Sequence, residues 1–315
     1  MRYLTAYRGL GDFKSAKKPS KFAAMLLGAS DNTEALSNSM VKPYGVAVGP
    51  SGLVYVSDTA ARRVFVLNRD RRTVDYIGEK DPKARLAKPV GVAVDGAGTV
   101  YVADATLKRV LAYAPDGTLR LALGHEGELE SPSGLAVDRG RRRLYVADAS
   151  RHVVQCYATD TGALVRTIGK RGSDLGEFNF PTNLAVDTAG TLYVSDTFNF
   201  RIQIIDAEGH PVRAFGELGD SPGQLNRPKG IAVDSEGHIY VADSSFNNFQ
   251  IFDREGRLLL FVGQGGGAAG EFSLPAGLFI DDQDRIYVAD QGNSRIQIFQ
   301  YLKHADRTTS QGDHR

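Results

Sequence analysis

The stretch Ile286–Phe299, IYVADQGNSRIQIF, sets Asp290 five residues ahead of Arg295 with amides between them. In isolation it reads as a general base beside an anion clamp. The rest of the chain reads it differently. Tyr-Val-(Ala/Ser)-Asp recurs six times, ending at Asp58, Asp104, Asp148, Asp196, Asp243 and Asp290. A proline precedes each: Pro43, Pro89, Pro132, Pro181, Pro228 and Pro275, at spacings of 46, 43, 49, 47 and 47 residues. A period of this length marks a stacked or radial repeat. Active sites are singular, so a residue required six times is scaffold.

Each unit reads as four strands. After Pro-x-Gly (Asn183 replaces Gly in the fourth unit) comes a short apolar run such as GVAV or GLFI, which suits a strand covered on both faces. A turn leads to the Tyr-Val-Ala-Asp strand. An alternating strand such as RIQIF follows, half-buried by its period of two. A second Gly turn leads to the last strand. The fold class is all-β. Six four-stranded antiparallel blades arranged radially make a six-bladed β-propeller, in which blade-on-blade packing covers both sheet faces and leaves short edges.

The sixth unit ends at RIQIFQYL without a fourth strand. The N-terminal RYLTAY matches the missing one, so residues 1–10 are expected to close the ring as the outer strand of blade six. Residues 1–302 then form one propeller. Residues 11–42 are an insertion ahead of blade one, with a short helix over Lys21–Gly28 that Ser20 can cap. Residues 303–315 are a polar tail.

The recurring Asp can accept backbone N–H groups of the following turn. The Arg five residues later, present at 63, 109, 201 and 295, can bridge to a neighbouring loop. GGGAAG (Gly265–Gly270) matches G-x-G-x-x-G, but it leads into another strand and not a helix, so it is a connecting loop.

Composition excludes several classes. The net charge of +1 gives no global attraction to nucleic acid or membrane. Residues 1–42 hold seven Lys/Arg against three Asp/Glu, and residues 43–302 hold 28 against 32. A single cysteine, Cys156, forbids an internal disulfide and falls where a buried thiol is expected. FAAMLL (Phe22–Leu27) is too short to span a bilayer. A strand beginning at residue 2 mildly favours a trimmed, exported form at the periplasm or cell surface over a cytoplasmic one.

Units such as PKGIAVDSEGHIYVADSSFNNFQIFDREGRLLLFVGQGGGAAGEF closely resemble the NHL repeat, and the resemblance covers residues 43–302 with residues 1–12 as the clasp. It implies a six-bladed propeller of the bacterial stand-alone type. NHL propellers occur as protein- or RNA-binding modules, as sensor domains of bacterial kinases, and as relatives of a lyase acting on peptidyl-hydroxyglycine. The departures are Gly49 in place of the Asp after AV, the basic turn DRGRRR with Arg141, Arg142 and Arg143, and the missing sixth outer strand.

The loops joining blades share one face with those after each Asp, and long varied loops make that face the expected binding surface. The candidates are Tyr44, Asn183 and Lys229 at the channel mouth; Arg62, Lys108, Arg151 and His152 on a basic side; and Phe198, Asn199, Phe200, Phe246 and Asn247 on an aromatic-amide side. The favoured function is a non-catalytic binding or scaffold propeller for a protein or peptide. It would be monomeric, with no cofactor and no nucleic-acid partner. The alternatives are a metal-dependent lyase or hydrolase using His125 and His152, and an RNA-binding module.

Overall fold

The computed structural model describes residues 1–13, 38–79 and 82–302. Each repeat becomes a separate four-stranded antiparallel sheet. In the first, Pro43–Val48, Val54–Asp58, Arg63–Asn68 and Thr73–Ile77 follow one another from the inside outward. Blades two to five repeat this meander from inner strands Pro89–Val94, Pro132–Asp138, Pro181–Val186 and Pro228–Val233. The sixth sheet takes Pro275–Ile280, Arg285–Asp290 and Arg295–Gln300 from the end of the chain and Arg2–Tyr7 from its start. Arg2 lies opposite Gln300 and Tyr7 opposite Ile296, so the N-terminal strand closes the ring. Each inner strand also packs on the next, with Pro275–Ile280 against Pro43–Val48. The fold is a six-bladed β-propeller.

The core consists of six slabs, one between each pair of neighbouring blades. Ala47, Tyr55 and Val64 of blade one meet Val92, Val94 and Val102 of blade two. Alternate side chains of a strand point to opposite sheet faces, and both faces are covered here. That is why the inner runs are apolar without a break. The third strands depart from the half-buried pattern their alternation suggests. Gln203 and Gln297 are fully buried, because the polar positions of RIQI also enter a slab and find hydrogen-bond partners there.

The slab between blades six and one also takes Phe13 and Met40, from the two ends of the insertion. The Phe13 ring stacks on Tyr7 at 5.0 Å, and the Met40 N–H donates to the Arg8 carbonyl at 2.7 Å. The helix expected over Lys21–Gly28 and the tail 303–315 lie outside the described residues. Among the described residues, no helix is long and apolar enough to cross a membrane.

The strand order gives the ring two faces. One carries the blade-to-blade linkers and the loops after each Asp (the loop face). The other carries the turns that join first to second and third to fourth strands (the turn face).

Candidate functional site

All six repeated Asp side chains are fully buried on the loop-face side. Asp58 accepts the N–H groups of Val41 at 2.7 Å and Lys42 at 2.9 Å, in the linker ahead of Pro43. It also accepts those of Ala60 at 3.0 Å and Ala61 at 2.8 Å, in its own following turn. Asp104 and Asp243 repeat the pattern. In blades four and six the arginine joins in: Arg201 Nε lies 2.9 Å from Asp196 and Arg295 Nε 2.7 Å from Asp290. The other nitrogens of Arg295 donate to the carbonyls of Gly267, Ala268 and Glu271, and Gln297 donates to Glu271 and Asp290. In these two blades the Asp-Arg-Gln set pins the incoming linker to the blade it enters. In blade one Arg63 turns instead to Glu79 at 2.7 Å and lies 4.8 Å from the Tyr76 ring centroid.

Just inside the loop face the inner strands meet backbone to backbone. A Cβ on Gly91 would sit 2.1 Å from the Ser133 carbonyl oxygen, and one on Gly134 would sit 2.4 Å from the Asn183 Cα. At five of the six positions the approach leaves no room for a Cβ, which explains Pro-x-Gly; the fourth blade carries Asn183 there. The channel mouth lies at this ring. Tyr44, from blade one, reaches across the ring to the neighbourhood of the Asn183 amide of blade four, the blade diametrically opposite. Lys229 Nζ, from blade five, lies 5.7 Å from the Tyr44 ring centroid. Burial pushes the Lys229 pKa below the ordinary lysine range; nearby Arg227 and Lys42 push it further, and Asp243 opposes them. Burial likewise raises the Tyr44 phenol, with the neighbouring Asn183 amide opposing it.

Behind this closure the channel widens into a cavity of about 840 Å³ that opens on the turn face. Its wall is the inner strands. Its rim is the turns that follow them, including Asp187, Asp234 and Asp282. These turns carry a second repeated pair. Tyr101, Tyr193, Tyr240 and Tyr287 donate their hydroxyls to Asp95, Asp187, Asp234 and Asp281 at 3.0–3.1 Å. Blade one has Gly49 at the Asp position.

The NHL repeat family matches three segments, residues 178–205, 225–252 and 272–299. Each segment runs from the end of a linker through the third strand of its blade. The chain is a six-bladed β-propeller that carries NHL repeats. A curated relative, NHL repeat-containing protein 2 of Gallus gallus, is 27% identical over 199 residues. That match covers 60% of this chain, which spans about a quarter of the relative's length. Among solved structures, a gluconolactonase from Xanthomonas campestris superposes with a TM-score of 0.64 at 20% identity, covering 82% of this chain and 86% of that one. Virginiamycin B lyase from Staphylococcus aureus with quinupristin superposes with a TM-score of 0.60 at 15% identity, covering 83% of this chain and 95% of that one. At these identities the likeness is one of fold.

The propeller brings some sequence candidates together and separates others. Tyr44, Asn183 and Lys229 converge at the mouth. Lys108 and Arg151 share a crevice between blades two and three with His125, Glu126 and Glu130. His152 faces the other side of blade three, where its Nδ1 accepts the Phe180 N–H at 3.1 Å and its ring meets Phe180 edge-on at 4.6 Å. Burial lowers the His152 pKa, with Arg171 adding to the effect, which keeps the ring neutral and able to accept. Among the described residues, no three His, Cys, Asp or Glu side chains are grouped to hold a metal ion.

Asn247 has the same task as His152, accepting the Leu274 N–H at 2.8 Å. Asn199 donates to the Gly172 carbonyl and to Asp196. These three side chains are committed to holding linkers. Phe198 is 49% exposed, with its ring 5.0 Å from Phe180. Phe200 and Phe246 are half-buried, and Arg62 is exposed. Cys156 is buried, and burial raises its thiol pKa. The glutamines of the third strands, Phe180, and the cations ahead of the prolines, Lys42, Lys88 and Arg227, are not among the sequence candidates. The glutamines carried a signal, recurrence seven residues after the Asp at 155, 203, 250 and 297.

Proposed function

We propose that this propeller is a binding scaffold that engages a protein or peptide through the loop face and channel mouth, and that the partner is acidic where it meets the mouth. The observation that carries this is the charge of the residues flanking the six prolines. Before them stand Lys42, Lys88, Ser131, Phe180, Arg227 and Leu274; after them stand Tyr44, Val90, Ser133, Thr182, Lys229 and Ala276. Four are cations and none is a carboxylate. The Asp side chains beneath are committed to backbone N–H groups. A carboxylate from a partner would relieve the repulsion among Lys229, Arg227 and Lys42. Leu175, Leu218 and Leu274 are each 46–57% exposed on the surrounding linkers and offer apolar contact.

Single-stranded RNA carries the same sign of charge. It binds chiefly by stacking on aromatic rings, whereas these exposed contacts are mostly aliphatic. The test is fluorescence anisotropy of labelled hexaglutamate, with labelled oligo(U) as the second arm, at low and at raised salt. Saturable hexaglutamate binding that weakens with salt and is lost in Lys229→Met/Arg227→Ala supports the reading. Tighter binding of oligo(U) moves it to nucleic acid, and no binding of either removes it.

A further inference from the structure

The turn-face cavity has its own chemistry, and it is opposite in sign to the mouth. Six Asp line it against three Arg, namely Arg139, Arg213 and Arg254, while Arg141 and Arg285 behind the rim pair with Asp138 and Asp281, which leaves a small negative excess. Most of these carboxylates are fixed by hydrogen bonds from their own turns: Asp187 holds the N–H groups of Ala189 and Thr191, and Asp234 those of Glu236 and His238. Asp282 is different. Its side chain is 97% exposed at the rim, and its nearest cation is Arg139, 3.9 Å away on the opposite blade. An exposed pair at that distance is weak. Even a small negative excess between low-dielectric walls favours counter-charge.

The wall is apolar and asymmetric. The fifth residue of the inner strand is Ala47, Ala93, Ala136, Ala185 and Ala232 in five blades, and Phe279 in the sixth. The Phe279 ring packs on the slabs between blades six and one and between blades one and two, so it lies along the inner strand of blade one. It remains half-exposed in the cavity. One aromatic face among alanines offers a platform for an apolar or cationic group. The volume falls within the range of small-molecule sites.

We propose that this cavity is a binding site for a small organic cation with an apolar body, an aryl- or alkylammonium. The apolar part lies against Phe279 and the inner strands, and the positive charge lies among the rim carboxylates, with Asp282 the one free to move toward it. This site is separate from the mouth proposed above, because Tyr44 and the glycine ring lie between them. Either reading stands or falls alone.

The test is isothermal calorimetry of the intact protein with benzyltrimethylammonium, and with phenylacetate as an anion of similar bulk. The expected result is saturable one-to-one binding of the cation and none of the anion. Phe279→Ala should weaken the cation at least about fivefold; five blades already carry Ala at that position, so the variant is expected to fold. Asp282→Asn should weaken it about threefold. Absent binding of the cation, equal binding of phenylacetate, or affinity unchanged by Phe279→Ala would overturn the proposal.

Discussion

Replacing Asp290 with Ala tests whether the repeated Asp-Arg set is a structural corner. Asp290 is fully buried, and Arg295 is 4% exposed. The carboxylate accepts Arg295 Nε at 2.7 Å, the Ser273 N–H at 2.8 Å, Asn293 Nδ2 at 2.9 Å and Gln297 Nε2 at 3.1 Å. Its removal leaves a buried guanidinium without its counter-charge, at a cost of about 3–5 kcal/mol. It also leaves orphaned donors, at about 1–3 kcal/mol if they stay dry. The linker can relax toward water, so the expected loss is about 4 kcal/mol. Asp58→Ala is the control: Arg63 is paired with Glu79 there, only neutral N–H groups lose their acceptor, and the cost should be about 2 kcal/mol. Arg295→Met removes the cation too, so the Asp290→Ala/Arg295→Met double variant should lose less than the two singles together by about 1 kcal/mol or more. Urea unfolding followed by circular dichroism reads all four. A loss below about 1 kcal/mol for Asp290→Ala, or strict additivity, would refute the corner.

Three further outcomes are expected. Gly134→Ala places a Cβ 2.4 Å from the Asn183 Cα, and should cost at least about 3 kcal/mol in thermal or urea unfolding, whereas Gly11→Ala, with open space at its Cβ, should change little. Lys229→Met should stabilise the fold at neutral pH. The folded-state pKa of Lys229 lies below the unfolded one, so the unfolded chain binds the extra proton between them, and the gain should fade as pH rises through the lowered pKa toward the ordinary lysine value, read by urea unfolding across that range. Deleting residues 1–8 strips Leu4 and Tyr7 from the slab between blades six and one and should lower stability by at least about 3 kcal/mol, with added exchange at Arg295–Gln300 seen by hydrogen exchange.

The propeller was legible because its signals recur at fixed offsets along the chain: a Pro, a Gly, a buried run and an Asp. Even the closing strand could be read, from the absence of a fourth strand after RIQIFQYL. The site was legible only in part. Tyr44, Asn183 and Lys229 could be named as mouth residues from their place after Pro, but the reach of Tyr44 across the ring depends on blades that are far apart in sequence. His152 and Asn247 looked like free surface groups, because the N–H groups they accept belong to the following linker and no local pattern marks that pairing. The wide end of the channel was missed for a similar reason. Strand alternation tells which side chains face a neighbour, not which end of a channel is closed. Phe279 was the visible exception, a lone aromatic in GLFI where the other inner runs carry alanine.

The most direct measurement is peptide-resolved hydrogen exchange with and without saturating hexaglutamate. Protection should concentrate at residues 40–46, 180–184 and 226–231, around Tyr44, Asn183 and Lys229, with the turns at 187–191, 234–238 and 281–285 unchanged. Protection at those turns with none around the mouth would contradict binding through the loop face.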